Sequence, residues 1–301
     1  MIVDQAETLR GLVRQSTGQV DHPPVSPQPT PKPRLAQALA ISSGKGGVGK
    51  STVAVNLAVM LSRMGRRVAL LDADMGTANA DVLCNVMPVH TLAHVVSGRR
   101  EIEEIAIHAP GGFSLIPGAS GLAQMAALGS RERQRLIDQF ARLEQAYDVL
   151  LIDTGAGIGP SVLGLLTAAD RALIVTTPDP TAITDAYAVI KTAHRQHPEL
   201  DARLLVNQAS DAQEAREVYS RVGNVCRKFL GLEVPYAGCL LSDAFVRDSI
   251  RNRRPFALDT RQNHATIAIS ALAHRLDKHA AEPEASRGGL LRRMTTRLVG
   301  A

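Results

Sequence analysis

One glycine-rich segment constrains the fold of this chain more than any other. It is ISSGKGGVGKST, from Ile41 to Thr52. From Gly44 to Ser51 it fits the pattern G-x-x-x-x-G-K-[ST], after a short apolar run and before a helical pattern. Glycines let backbone N–H groups turn inward around an anion, and the following helix directs its positive end there. Lys50 would then reach the β- and γ-phosphates, and Ser51 would bind Mg²⁺. The stretch predicts a nucleotide-binding loop.

Composition limits the other possibilities. The chain has 301 residues, 3 % aromatic residues, no Trp and a net charge of +5 whose basic residues do not cluster, which argues against a nucleic-acid surface. Its three cysteines, Cys84, Cys226 and Cys239, are too few and too far apart for a disulfide framework or a metal knuckle. No signal peptide or long apolar run is evident, so we expect a cytoplasmic protein.

Apolar runs alternate with helical segments from Leu35 to about Ala280. Near-continuous apolar strands separated by helices predict an α/β fold, with a mostly parallel sheet flanked by helices on both faces. Ligands of such sheets bind at the carboxyl ends of the strands. The predicted strands are Ala38–Ile41, Val68–Leu71, Phe113–Ile116, Val149–Ile152, Ala172–Val175, Leu204–Val206 and Val234–Ala237. The predicted helices include Val53–Met64, Arg131–Tyr147, Ile183–His194 and Gln213–Leu230.

Aspartates follow two of these strands. Asp72 and Asp74 come after the second strand, and Asp153 follows the strand that begins at Val149. A Mg²⁺–nucleotide site needs such a carboxylate, because the ion keeps waters that an acidic group must orient. We expect Asp153 and Asp72 at the metal. Asp74, two residues further out, would position the water that attacks the γ-phosphate.

A second lysine, Lys45, stands in the loop beside Lys50 and would crowd the same phosphates, so we expect it to point outward toward a second copy of the chain. The stretch from Lys45 to Thr52 resembles the deviant phosphate loop of the MinD/ParA ATPases, in which two subunits sandwich two ATP molecules and this early lysine acts across the interface. The resemblance implies a P-loop NTPase fold and an ATP-dependent homodimer. It implies that ATP contacts the loop residues Gly44, Lys45, Gly46, Gly47, Val48, Gly49, Lys50, Ser51 and Thr52.

The same resemblance assigns further roles. Asn207, at a strand end, would read the adenine edge, with Pro235 and Tyr236 flanking the base. Asp153 would sense the metal. The stretch from Thr177 to Tyr187 is similar to one subgroup of the family, the FlhG proteins, with Asp179 on the nucleotide side in place of the more usual Glu.

The N-terminus carries a second, more specific signal. Asp4, Gln5, Ala6, Leu9 and Arg10 match the D-Q-A-x-x-L-R motif of the FlhG family, MinD-like regulators of flagellar number. In that family the segment stimulates an FlhF-like GTPase. The resemblance also admits flagellar switch components or a flagellar transcription regulator as partners. Six prolines between Asp21 and Arg34 predict a stiff tether behind a short amphipathic helix.

The C-terminus reads as a basic amphipathic helix. Its apolar and basic residues predict contact with an anionic membrane surface, and packing on the core is the alternative. Family members end in a similar helix, which implies reversible association with the inner face of the cell membrane. The residues concerned are Leu290, Leu291, Arg292, Arg293, Met294, Arg297 and Leu298.

These features divide the chain into a partner-activating helix (1–15), a proline-rich linker (16–34), an ATPase domain (35–280), and a linker with a membrane-targeting helix (281–301). The predicted function is a weak, partner- and lipid-stimulated ATPase that switches by dimerisation and regulates flagellar number or placement. The alternative is a MinD/ParA-type ATPase for DNA partition or division-site placement. An iron–sulfur carrier would need a Cys-x-x-Cys pair, which the sequence lacks. A scaffold that binds ATP without hydrolysing it is a further alternative. A measurement of ATP turnover would distinguish it from the predicted ATPase.

Overall fold

The computed structural model describes residues 35–74, 79–118, 128–261, 263–278 and 289–299, with side chains in the last range up to Met294. The strands are β1 Gln37–Ser43, β2 Val68–Ala73, β3 Ile107–His108, β4 Ser114–Ile116, β5 Val149–Ala156, β6 Arg171–Thr176, β7 Asp201–Ala209 and β8 Tyr236–Leu241. The helices are α1 Lys50–Arg63, α2 Ala80–Cys84, α3 Leu92–Val96, α4 Ile102–Ile105, α5 Ser130–Ala146, α6 Pro160–Ala168, α7 Pro180–Gln196, α8 Ala212–Leu230, α9 Ala244–Arg251, α10 His264–Lys278 and α11 Leu290–Val299, with a 3₁₀ turn at Phe256–Leu258.

The described strands form one sheet in the order β3-β4-β2-β5-β1-β6-β7-β8. All neighbouring pairs are parallel except β3 with β4. The expected α/β architecture, a mostly parallel sheet with helices on both faces, is confirmed. All strands but β3 therefore run in one direction, and the sheet has a carboxyl end and an amino end.

Alternate side chains of a central strand pack into two separate hydrophobic cores, one on each face of the sheet. Ala38 and Ala40 of β1 pack into the core under α5, α6 and α7, whereas Leu39 and Ile41 pack into the core under α1 and α10. This alternation follows from the two-residue period of a strand buried on both sides. The continuous apolar runs in the sequence reflect it.

The last strand departs from the prediction. The expected run Val234–Ala237 stops before Gly238, but β8 begins at Tyr236 and continues to Leu241. The register shifts between Tyr236 and Gly238, where β8 carries one extra residue against β7. Gly238 has φ +125°, and a Cβ there would come within 2.7 Å of Arg275 Nη1. Glycine is needed at this bulge, so a residue that reads as a strand terminator lies inside the strand.

The C-terminal helix α11 packs on the core in this structure. Leu290, Leu291 and Met294 are buried in the core that α5 and α6 cover. The sequence predicted this apolar face for a membrane, and the structure instead matches the alternative of packing on the core. The side chains of Arg297 and Leu298 lie outside the described residues.

Polar contacts fix the beginning of α11. Glu144 Oε1 accepts the backbone N–H of Leu290 at 2.5 Å, and burial raises the pKa of this carboxyl. Arg293 Nε donates to Ala168 O at 2.7 Å, and its Nη2 lies 3.1 Å from Asp170 Oδ1. Helix α11 is therefore held at the ends of α5 and α6.

The predicted N-terminal helix (1–15), including Asp4, Gln5, Ala6, Leu9 and Arg10, lies outside the described residues, as do the linkers 16–34 and 281–288. Across the part of the chain that the structure describes, no helix is both long and apolar enough to cross a membrane.

Candidate nucleotide site

The glycine-rich loop connects the carboxyl end of β1 to the first turn of α1. Gly47 and Gly49 adopt φ values of +82° and +86°, which other residues rarely adopt. An ideal Cβ on Gly49 would lie 2.4 Å from Asn207 Nδ2, so glycine is needed here for space as well. A Cβ on Gly44 would likewise meet the backbone of Asp185 on α7. The loop keeps its shape because neighbouring elements close on it.

Lys50, the first residue of α1, is buried and faces the end of β5. Its Nζ lies 2.7 Å from Asp153 Oδ1 and 3.7 Å from Asp74 Oδ2. Because β1 and β5 are neighbours, the first turn of α1 reaches the end of β5 directly. The structure thus brings together the lysine and the two aspartates that the sequence predicts at the phosphates.

Asp153 has the environment of a metal-associated carboxylate. It is fully buried, and burial raises its pKa, while Lys50 and the Ser51 hydroxyl favour the charged form. Among the described residues, its Oδ2 has no hydrogen-bond partner. A buried carboxylate oxygen with no protein donor, beside a hydroxyl at the helix start, fits a hydrated Mg²⁺. Ser51 and Asp153 are therefore the residues that would hold the ion, which neutralises phosphate charge when bound.

Asp72 lies beside Asp153 and contacts the backbone of the segment that follows β2. It is level with Asp153 on the adjacent strand, and burial, with the Asp153 charge, raises its pKa to about 6. Its Oδ2 accepts the N–H of Ala80 at 3.1 Å and its Oδ1 that of Asp74 at 3.4 Å. Each oxygen thus accepts one backbone N–H, and the assignment of Asp72 as a metal ligand stays a prediction. Asp72 positions the segment that carries Asp74.

Asn207 contacts the phosphate loop. Its Nδ2 donates to Val48 O at 2.8 Å, and its Oδ1 accepts the N–H of Gln208 at 3.0 Å. The amide nitrogen therefore braces the phosphate loop from β7. The predicted contact of Asn207 with adenine stays a prediction.

Pro235 and Tyr236 lie away from the loop, and their assignment to the base is wrong. Tyr236 begins β8 and pairs with Leu204, whereas Leu241 at the carboxyl end of β8 pairs with Ala209. Five residues of strand separate the two ends, about 17 Å. Tyr236 instead packs on Tyr219, with ring centroids 4.7 Å apart.

A cleft of about 540 Å³ extends from the loop toward the ends of β6, β7 and β8. The sequence analysis missed four of the residues that line it. They are polar and follow the carboxyl ends of β7 and β8, which is the signal that could have found them. These residues are Gln208, Ser210, Glu214 and Ser242.

Lys45 lies at the mouth of this cleft. Its Nζ contacts Asp179 Oδ2 at 2.9 Å and Thr181 Oγ1 at 2.8 Å, and both charged side chains are more than two-fifths exposed. Lys45 and Thr181 together hold the pKa of Asp179 well below its usual range. Asp179 also caps α7 by accepting the N–H of Thr181. The two loop lysines therefore point apart, Lys50 inward and Lys45 outward.

A phosphate loop at the centre of a parallel sheet, with a buried lysine and carboxylates at the strand ends, defines a P-loop nucleoside triphosphatase. Residues 36–206 match a family described as AAA domain. The chain belongs to this family, as an ATPase of the MinD/ParA type that uses ATP and Mg²⁺.

Individual proteins also resemble the chain over most of its length. The chain is 41 % identical over 241 residues to the antiactivator FleN of Pseudomonas aeruginosa, covering 80 % of this chain and 86 % of the relative. It is 38 % identical to the flagellum site-determining protein YlxH of Helicobacter pylori, covering 72 % and 73 %. A solved structure of MinD from Pyrococcus horikoshii, complexed with Mg-ADP, shares the fold with a TM-score of 0.66 and 24 % identity, covering 82 % and 98 %.

The buried ion pair leads to a stability prediction. Lys50→Met leaves Asp153 buried without its counter-charge, so we expect the free energy of unfolding of the nucleotide-free protein to fall by about 3–5 kcal/mol. Urea denaturation measures this. The uncharged double variant Lys50→Met/Asp153→Asn should recover most of the loss, and equal destabilisation of the two variants would contradict the role given to the pair.

Proposed function

We propose that the protein is an ATP-dependent dimerisation switch that regulates flagellar number or placement. The observation that carries the proposal is the pair of loop lysines. Lys50 is buried and faces the carboxylates of its own subunit, whereas Lys45 is exposed and points out of the loop. A lysine in that place can reach phosphates bound by a second copy. The similarity to YlxH, a flagellum site-determining protein, supports the flagellar role.

The cost of moving Lys45 is low. Its partner Asp179 is exposed, and solvent-exposed ion pairs of that kind contribute little to stability. A triphosphate across an interface offers Lys45 a more concentrated negative charge. The Lys45–Asp179 pair would therefore break when a second ATP-loaded subunit arrives, which links dimerisation to nucleotide.

Hydrolysis is assigned to the segment that Asp72 positions. Asp74 is partly exposed and lies 3.7 Å from Lys50 Nζ, at the rim of the phosphate site. From that position its carboxylate would orient a water for attack on the γ-phosphorus. Lys50 would leave Asp153 for the β- and γ-phosphates when ATP binds. Hydrolysis then removes the charge that attracted the partner's Lys45, and the dimer separates.

Membrane binding would require the release of α11. The face made by Leu290, Leu291 and Met294 is buried, so it cannot insert into a bilayer while docked. A single short amphipathic helix binds weakly, but two helices held in one dimer bind with avidity. Undocking in the ATP dimer would thus turn the nucleotide state into membrane affinity.

The N-terminal motif gives the switch a partner. By resemblance, Asp4, Gln5, Ala6, Leu9 and Arg10 would stimulate an FlhF-like GTPase. A dimer presents two such segments together with two membrane helices. The GTPase would then be activated where the dimer is bound, and ATP hydrolysis would end the activation.

Matched loop variants test the dimer. Lys45→Ala should bind ATP but remain monomeric, with ATP turnover reduced at least about 100-fold, because the site lacks a charge supplied in trans. Asp74→Ala should dimerise with ATP and not hydrolyse it. Light scattering and phosphate release measure both properties. Normal ATP-dependent dimerisation of Lys45→Ala would show that the cross-interface role is wrong.

Two changes with opposite effects test the tail. Deletion of residues 289–301 should abolish sedimentation with anionic vesicles in the presence of ATP and Mg²⁺. Asp170→Asn removes the charge that faces Arg293 without altering the tail, so it should increase vesicle binding without ATP by about threefold to tenfold. Vesicle binding that survives the deletion would exclude the tail as the membrane anchor.

The N-terminal segment can be tested by capture. A peptide of residues 1–15 should retain an FlhF-like GTPase and raise its GTP turnover, and Leu9→Glu should abolish both effects. In cells, Asp74→Ala should change the number of flagella, counted by electron microscopy. A peptide without effect on the GTPase, together with normal flagellar counts, would rule out the flagellar role.

A further inference from the structure

The end of α8 presents exposed apolar and basic side chains on the same surface. Phe229 is 65 % exposed and Val225 is 37 % exposed. Lys228 Nζ lies 5.3 Å from the centroid of the Phe229 ring. Arg221 is also exposed, and its spacing from Val225, Lys228 and Phe229 (four, seven and eight residues) puts all four on one stripe of the helix. We call these four residues the α8 patch.

The patch is not an extension of the core. Val222 and Cys226, on the side of α8 that faces the core, are buried. Phe229 lies in the last turn, where most of its side chain is exposed, and Lys228 lies over its ring. Glu217, one turn before Arg221, is an exposed acid at the edge of the patch. An exposed aromatic ring among cations favours a surface that is apolar beneath a layer of negative charge.

Topology places the patch at the amino end of the sheet. Helix α8 leaves the carboxyl end of β7 and finishes just before β8 begins, so Phe229 lies at the end opposite to the phosphate loop.

The last helices of the chain meet at this same end. Helix α10 ends there, because Leu276 O accepts a hydrogen bond from Nη1 of Arg171, the first residue of β6. Helix α11 starts there, since Glu144 caps it just before β5 and Ala168 contacts it just before β6. The amino end of the sheet is therefore where the tail attaches to the folded chain. A membrane held by the tail would face this end.

We infer that the α8 patch is a second lipid-binding surface, which contacts an anionic bilayer and orients the ATPase with its phosphate loop away from the membrane. The inference rests on the membrane binding proposed above. The tail would supply attachment, and the patch would supply orientation. Phe229 and Val225 would enter the headgroup layer, and Arg221 and Lys228 would pair with lipid phosphates.

The absence of Trp from the chain makes a direct test possible. Phe229→Trp gives a protein with a single tryptophan in the patch. With ATP, Mg²⁺ and phosphatidylglycerol vesicles carrying brominated acyl chains, we expect quenching of its fluorescence. The control is Met87→Trp, 91 % exposed on the loop between α2 and α3 at the carboxyl end, which should not be quenched.

The outcomes separate the two proposals. Sedimentation of Phe229→Trp with vesicles, without quenching, would overturn the lipid role of the patch and leave the tail's role intact. No sedimentation of the unmodified chain would overturn membrane binding itself, and the patch with it.

Neutralising the patch gives an independent readout. Arg221→Gln/Lys228→Gln should weaken vesicle binding about thirtyfold at low salt and leave ATP-dependent dimerisation unchanged. Arg247→Gln/Arg251→Gln removes the same charge from α9, which begins at the carboxyl end of β8, and should have little effect. Equal weakening by both pairs would indicate a general charge effect and overturn the assignment.

Discussion

The buried ion pair between Lys50 and Asp153 is the interaction around which the site is built. It ties the first residue of α1 to the end of β5 across 2.7 Å, in surroundings where neither charge is stable alone. The pair depends on the sheet order, since β5 is a neighbour of β1 and so presents Asp153 directly to the first turn of α1. The glycine-rich loop, Asn207 beneath it and Asp72 beside it all serve this geometry. A bound triphosphate can replace Asp153 as the partner of Lys50 while the lysine stays buried.

The two ends of the sheet divide the proposed function between them. At the carboxyl end lie the nucleotide cleft and Lys45, which would report the presence of a second ATP-loaded subunit. At the amino end lie the start of α11 and the α8 patch. Helices α6, α7 and α8 run from one end to the other, and α11 packs on one of them. A change of packing at the nucleotide could therefore reach the tail through rigid helices.

Much of this arrangement could be predicted from residue pattern. The phosphate loop, the buried strands and the aspartates at the strand ends all follow from local sequence, because a parallel sheet collects strand ends at one edge. Asn207 and Asp72 could not be assigned in the same way. A polar residue after a strand can face a ligand or brace a loop, and the backbone contacts that each side chain makes, with Val48 O and with the Ala80 N–H, follow only from the folded structure.

The sequence by itself determined the fold class and the chemistry at the phosphates, since loop, lysine and hydroxyl are adjacent in the chain and act through local backbone geometry. The tertiary structure alone decided what depends on distant partners. It packed the amphipathic face of α11 against α5 and α6, whereas helical periodicity shows that a face is apolar and not what covers it. It also placed Tyr236 at the end of β8 that lies away from the nucleotide site, because β8 continues past the bulge at Gly238 to Leu241. Pairing between strands sets that register, and no local signal in the sequence records it.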